Sequence, residues 1–259
     1  MALSDSPHVS VVVPVRNEAG NLAPLIAEIE AALAPVGPFE IVYVNDGSTD
    51  GTSDELARLA QTRPHLRIVA HAQSCGQSAA VRTGVRAARA PIVCTLDGDG
   101  QNDPAFLPAM IALLEEMGPG CGLVQGQRVG RKDTAFKRLQ SRVANSVRRL
   151  MLKDGTRDTG CGLKCFRREA YLALPYFDAL HRFMPALVQR EGYALGYVDV
   201  IDRPRLTGVS NYGFFDRLWV GLMDLVGVRW LIVRRRRAPQ VIGEGAPAAP
   251  AQKGEPDAR

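Results

Sequence analysis

The chain has 259 residues, 46% hydrophobic and 23% charged, an ordinary globular composition that excludes disorder or a collagen-like repeat for its bulk. The net charge of +5 is unevenly placed: residues 1–127 carry 7 Lys/Arg against 14 Asp/Glu, and residues 128–168 carry 13 against 3. An acidic half joined to a basic block suggests a site that meets both metal and phosphate. In chain order, the apolar β-branched run Val9–Val13 predicts a buried strand. A helix capped by Asn21 follows to about Leu33, with Pro24 in its tolerant first turn. Phe39–Asn45 predicts a second strand. Thr52 and Glu55, at capping-box spacing, open a helix that ends before Pro64. Leu66–Ala70 reads as a third strand, Ser78–Arg89 as a helix, Pro91–Leu96 as a fourth strand, and Asp103 caps a helix to about Met117. Strand alternating with helix predicts an α/β fold, a mostly parallel sheet with helices on both faces, whose ligands bind at the strand C-ends.

After Arg128 the pattern changes. Residues 135–152 predict a long basic amphipathic helix. On it Arg138, Arg142, Ser146 and Arg149 share one face, and Phe136, Leu139, Val143, Val147 and Leu150 form the apolar stripe. Leu163–Phe166 reads as a short strand, Arg182–Glu191 as a helix and Leu195–Ile201 as a strand. Phe214–Val233 places Phe215, Leu218, Trp219, Leu222, Val226 and Trp230 along one helical stripe ahead of the basic run Arg234–Arg237, the pattern of an interfacial helix beside anionic lipid. The expected organisation is a tail over 1–7, a catalytic α/β domain over 8–212, an amphipathic membrane-interface segment over 213–237 and a disordered tail over 238–259. The N-terminal residues have neither a basic nor an apolar signal region, and no apolar run has the length of a membrane span. The five cysteines form no paired or zinc-finger framework and read as reduced thiols.

The strongest chemical signal is Asp97-Gly98-Asp99-Gly100-Gln101 at the end of the fourth strand. Two carboxylates one residue apart suit a hard divalent cation such as Mg²⁺ or Mn²⁺, which takes one or two carboxylates plus substrate phosphates. An Asp-Gly turn explains the same residues in isolation. The first strand, however, ends in Pro14-Val15-Arg16-Asn17-Glu18 and the second in Asn45-Asp46-Gly47-Ser48-Thr49-Asp50-Gly51, so acidic strand ends converge on one edge. Their mutual repulsion calls for a cation or a donor-rich ligand. The basic helix carries no aromatic platform or nucleic-acid motif, which leaves a phosphate-bearing ligand as the better reading and nucleic acid excluded as a partner.

The set Pro14–Glu18, Asn45–Gly51, Gly76–Gly84 and Asp97–Gln101 resembles the family 2 inverting glycosyltransferases of GT-A fold, a Rossmann-like architecture. His181-Arg182-Phe183, Arg205 and Gly208-Val209-Ser210-Asn211-Tyr212 narrow the resemblance to the dolichol- and polyprenyl-phosphate sugar synthases, the dolichyl-phosphate mannose synthase group. It covers residues 8–233 and implies that Pro14, Arg16, Glu18, Val44, Asp46, Asp97, Gly98 and Arg205 contact the nucleotide sugar. It further implies that Asp97, Asp99 and Gln101 hold the metal, that Arg128, Arg142, Ser146 and Asn211 hold the acceptor phosphate, and that Asp97, Asp99 and Arg128 are catalytic. The implied donor is GDP-mannose or a UDP-hexose, with mannose the first guess and glucose, galactose or a uronate the alternatives. The implied acceptor is a polyprenyl phosphate at the cytoplasmic membrane face, with peripheral attachment and, as in some members, a small membrane partner protein. Arg16 stands where the mannose synthases usually have an aromatic residue, Asn45 where they have the first Asp of a pair, and Asn211 where they have Lys. The rival acceptor is a hydroxyl of a glycan or lipopolysaccharide. Enzymes of that kind usually carry a Glu-Asp pair as base, and this sequence has no Glu-Asp dipeptide. A phosphate monoester needs none, since its second pKa is about 6.

Overall fold

The computed structural model describes residues 6–129, 148, 150–203 and 214–235, with backbone only for 214–220. Seven strands form one sheet in the order β3-β2-β1-β4-β6-β5-β7. They are β1 (Val9–Val15), β2 (Phe39–Asp46), β3 (Leu66–His71), β4 (Ile92–Thr95), β5 (Cys121–Arg128), β6 (Lys164–Arg167) and β7 (Ala194–Val200). Neighbours pair in parallel except where β6 lies antiparallel between β4 and β5.

The helices are α1 (Leu22–Leu33), α2 (Thr52–Ala60), α3 (Gln77–Ala87), α4 (Leu107–Glu116), α5 (Arg168–Leu172), α6 (Leu180–Arg190) and α7 (Phe214–Val233). The period-2 alternation of β1 sorts its side chains between two cores. Val9, Val11, Val13 and Val15 join α1, α2 and α4, whereas Val12 joins α3, α6 and α7. Both faces are thus covered, and the strands read as near-continuous apolar runs.

Two expected caps are built differently. Asn21 ends a 3₁₀ turn (Ala19–Asn21), and its side chain donates to Glu18 Oε2 at 2.6 Å instead of capping α1. Thr52 is already inside α2. Asp50 Oδ1 takes the Thr52 N–H at 3.0 Å, and the Thr52 hydroxyl accepts the Glu18 N–H at 3.0 Å, so no capping box forms. Asp103 does cap, accepting from Ala105 N ahead of the 3₁₀ turn Pro104–Phe106 that leads into α4. Most of the expected basic helix lies outside the described residues, and its C-terminal end, Arg148 and Leu150–Leu152, is helical.

Strand β5 is absent from the sequence-based expectations because Gly122, Gln125, Gly126 and Gln127 interrupt its apolar pattern, although Gln125 and Gln127 are buried. It matters for the site. Its end, Arg128, pairs in register with Val200 of β7, and antiparallel β6 sets Lys164 opposite Thr95 of β4. The ends of β1, β2, β4, β5 and β7 and the start of β6 therefore share one edge. Among the described residues no helix is long and apolar enough to cross a membrane.

Candidate functional site

A cavity of about 370 Å³ opens at this edge, lined by Pro14, Gln77, Asp97, Lys164, His181 and Arg182 among others. Its size is that of a small-ligand pocket. Asp97 is the one carboxylate among its described lining residues. Gln77 Nε2 donates to Asp97 Oδ1 at 2.7 Å, and Asn102 Oδ1 accepts the Asp97 N–H at 2.9 Å. The backbone of Gly162 lies close enough that a Cβ there would crowd the Asp97 carboxylate and the Asn102 side-chain oxygen. Burial pushes the Asp97 carboxyl up to about 6; Lys164 opposes the rise and Asp99 adds to it.

Lys164 is buried, and burial lowers its ammonium below the usual lysine range while Asp97 and Asp158 pull the other way. Its Nζ donates to the Cys161 carbonyl. His181 accompanies it in the cavity wall, with Nδ1 2.8 Å from Ser78 Oγ. Burial, then the nearby Lys164 and Arg182, bring the His181 imidazole down to about 3, so it is neutral at physiological pH.

The expected metal residues stay together on one loop. Asp99 is buried and accepts the Gln101 N–H at 3.1 Å, and Gly98 is buried against Val15. Gln101 also anchors the far end of β7, its carbonyl accepting from Arg203 N at 2.9 Å.

The nucleoside set divides. Pro14 lines the cavity, whereas Arg16 is exposed beyond β1 and Glu18 is half-buried. The loop carrying them is laced to the end of β2, with Asn17 accepting from Thr49 N at 2.8 Å and donating its own N–H to Ser48 Oγ at 3.0 Å. Asp46 is committed to protein donors: His71 Nδ1 at 2.7 Å, Ser74 Oγ at 2.8 Å, Cys75 N at 2.8 Å and Gly76 N at 2.9 Å. Burial alone would raise its carboxyl, but these donors outweigh it and hold it below the usual carboxylate range. The Val44 side chain is fully buried and packs in the core with α3, two residues before Asp46.

Arg128 is likewise engaged within the protein, with Asp158 and Asp202. Burial would lower its guanidinium, but the two carboxylates reverse the shift. Arg142, Ser146, Arg205 and Asn211 lie outside the described residues. Sequence reasoning missed Lys164, Asp158 and Asp202. The run Asp158-Thr159-Gly160-Cys161-Gly162-Leu163-Lys164 held a signal in its paired glycines, but only the β4–β6 register shows that it closes over Asp97.

The chain is 32% identical over 243 residues to a dodecaprenyl-phosphate galacturonate synthase of Rhizobium johnstonii, covering 92% of this chain and 71% of that protein. It is 34% identical over 221 residues to an undecaprenyl-phosphate 4-deoxy-4-formamido-L-arabinose transferase of Pseudomonas paraeruginosa, covering 84% of this chain and 64% of that one. The Pectobacterium carotovorum protein of the same name is 32% identical and is again covered over 64% of its length, so the chain spans under two thirds of these transferases. Among solved structures, the mannosyltransferase PcManGT of Pyrobaculum calidifontis, in complex with GDP-Man and Mn²⁺, superposes with a TM-score of 0.64 at 24% identity, covering 90% of this chain and 66% of that one. Glucosyl-3-phosphoglycerate synthase of Mycobacterium tuberculosis, with Mn²⁺, UDP and phosphoglyceric acid, gives 0.64 at 20% identity, covering 90% and 80%. These neighbours share the GT-A fold. Residues 10–174 match the family described as Glycosyl transferase family 2, and the chain is a member of that glycosyltransferase family.

Proposed function

We propose that the protein transfers a sugar from a nucleotide sugar to a polyprenyl phosphate with inversion at the anomeric carbon. The observation that carries this reading is the cavity wall: one carboxylate, Asp97, shares it with Lys164 and Arg182, and no second carboxylate stands among the described lining residues to deprotonate a hydroxyl. His181, brought down to about 3 by burial, is too weak a base for that task. A phosphate acceptor is already anionic near neutral pH, so the protein's work is to hold two anions together.

In this reading a phosphate oxygen attacks the anomeric carbon from the face opposite the leaving nucleoside diphosphate. Lys164 and Arg182 offset charge in the cavity, and Gln77 orients Asp97. Asp97, Asp99 and Gln101 offer the oxygen donors a hard divalent cation takes, and the like charge of Asp99 beside Asp97 suits a site completed by such an ion. Mg²⁺ or Mn²⁺, when bound, would supply charge stabilisation to the departing diphosphate. Arg142, Ser146 and Asn211 are assigned to the acceptor phosphate and Arg205 to the donor.

The relatives' names specify galacturonate and 4-deoxy-4-formamido-L-arabinose. We therefore rank an acidic or 4-formamido sugar ahead of mannose. Attachment to a membrane surface is proposed on α7, with the cytoplasmic face taken from the family resemblance. Its Leu222, Met223, Val226 and Trp230 are exposed, while Leu225 and Val228 are buried in the core that includes α6. A screen of nucleotide sugars with polyprenyl phosphate, read as mass of the glycosyl lipid, tests the reading. No glycosyl lipid from any donor would overturn it.

A further inference from the structure

Among the described residues, the cations at and beside the cavity are unevenly committed. Arg128 is held by Asp158 and Asp202, and Lys164 donates to the Cys161 carbonyl. Arg182, in the first turn of α6, lines the cavity and is exposed. Its guanidinium makes no ion pair and no hydrogen bond with any described residue. We propose that Arg182 binds the phosphate of the acceptor lipid at the cavity mouth, a role that rests on the phosphate-acceptor reading above.

The placement of α6 joins the cavity to the helix with the exposed apolar stripe. The start of α6 supplies His181, Arg182 and Met184 to the cavity wall. At its other end, Arg190 Nε donates to the Leu231 carbonyl of α7 at 3.0 Å. Asp224 of α7 lies near the first turn of α6: burial raises its carboxyl, and the charge of Arg182 opposes the rise. Leu222 and Met223, exposed beside Asp224, begin the stripe that continues through Val226 and Trp230. A lipid whose chain follows this stripe brings its phosphate to Arg182.

The sheet order keeps this position apart from the donor side. In the proposed reading the nucleoside lies at the ends of β1 and β2, whereas α6 packs on β5 and β7, with β4 and β6 between. The chemistry also suits an acceptor. A guanidinium fork can donate to two oxygens of a phosphate monoester and leave the third unobstructed. That third oxygen forms the new bond to the anomeric carbon as the bond to the nucleoside diphosphate breaks. The diphosphate departs with the electron pair, and no proton moves.

The test measures initial rates with polyprenyl phosphate dispersed in detergent micelles, so that no bilayer contributes. Arg182→Gln should raise KM for the lipid about ten- to hundredfold and change kcat less. Nucleotide-sugar affinity by calorimetry and the melting curve should match wild type. Arg182→Lys should recover only part of the loss, because an ammonium lacks the fork. Free guanidinium ion added to Arg182→Ala should lower KM for the lipid again, a rescue that a purely structural role would not give. An unchanged KM for the lipid in Arg182→Gln, or an equal loss of nucleotide-sugar affinity, would overturn the proposal while wild-type synthesis of glycosyl lipid upholds the functional reading. A wild type that makes no glycosyl lipid would overturn that reading and this role together.

Discussion

Arg128 grips Asp158 through a two-bond fork, Nε 2.5 Å from Oδ2 and Nη2 2.9 Å from Oδ1, and its Nη1 reaches Asp202 Oδ2 at 3.1 Å. One guanidinium thus ties the end of β5 to the segments before β6 and after β7. A single substitution will mix stability with function. Arg128→Ala strands two largely buried carboxylates and should cost about 2–4 kcal/mol in urea unfolding. Arg128→Lys keeps the charge but loses the planar fork and should recover only part of that. Unfolding midpoints equal to wild type for both variants would refute the structural role.

Asp97 links metal binding to pH. Its carboxyl is pushed to about 6, chiefly by burial. Below that pH it carries a proton that must leave before a cation binds. The Mg²⁺ or Mn²⁺ concentration for half-maximal activity should therefore rise about tenfold per pH unit below 6 and level off above about 7. The folded value exceeds the unfolded one, so Asp97 should make the metal-free protein less stable as pH rises from about 4 to about 6. Asp99→Asn should keep the fold and lose on the order of a hundredfold in turnover. Full turnover in EDTA would remove the metal from the account.

Arg142, outside the described residues, carries the acceptor side of the proposal. Arg142→Ala should lower efficiency toward polyprenyl phosphate about ten- to hundredfold, as for loss of a charged hydrogen bond of roughly 1.5–3 kcal/mol. Nucleotide-sugar affinity, measured by calorimetry, should hold. A variant that loses donor affinity and keeps acceptor kinetics places Arg142 in the donor site instead.

The exposed face of α7 should bind anionic bilayers. Trp230 is 60% exposed and Val226 51%, and Arg234 stacks over the Trp230 ring at 6.0 Å. Trp230→Ser with Val226→Ser should shift the protein from the pellet to the supernatant in liposome co-sedimentation without lowering its melting temperature. Unchanged pelleting would assign membrane attachment to another surface.

Much of this molecule was legible because β1 to β4 are short apolar runs punctuated by turn residues, and the acidic ends of β1, β2 and β4 mark one edge. The two amended caps show the limit of local pattern: Asn21 and Thr52 have capping chemistry, but Glu18 and Asp50 from the adjoining loop claim their bonds. Strand β5 was hidden because its buried glutamines and glycines answer to neighbours distant in sequence, as when Gln125 Nε2 donates to the Cys161 carbonyl at 3.3 Å. Lys164 was hidden for the same reason. A lysine opening a short strand reads as solvent-facing until an antiparallel register sets it opposite β4.

The central claim is that a lipid phosphate, not a sugar hydroxyl, receives the glycosyl group. The most direct measurement is mass-detected release of nucleoside diphosphate with polyprenyl phosphate present or absent. The account predicts release that depends on the lipid, matches glycosyl lipid one for one, and falls on the acidic side near the acceptor's second pKa of about 6. Release driven by a glycan hydroxyl, with no product from polyprenyl phosphate, would contradict it.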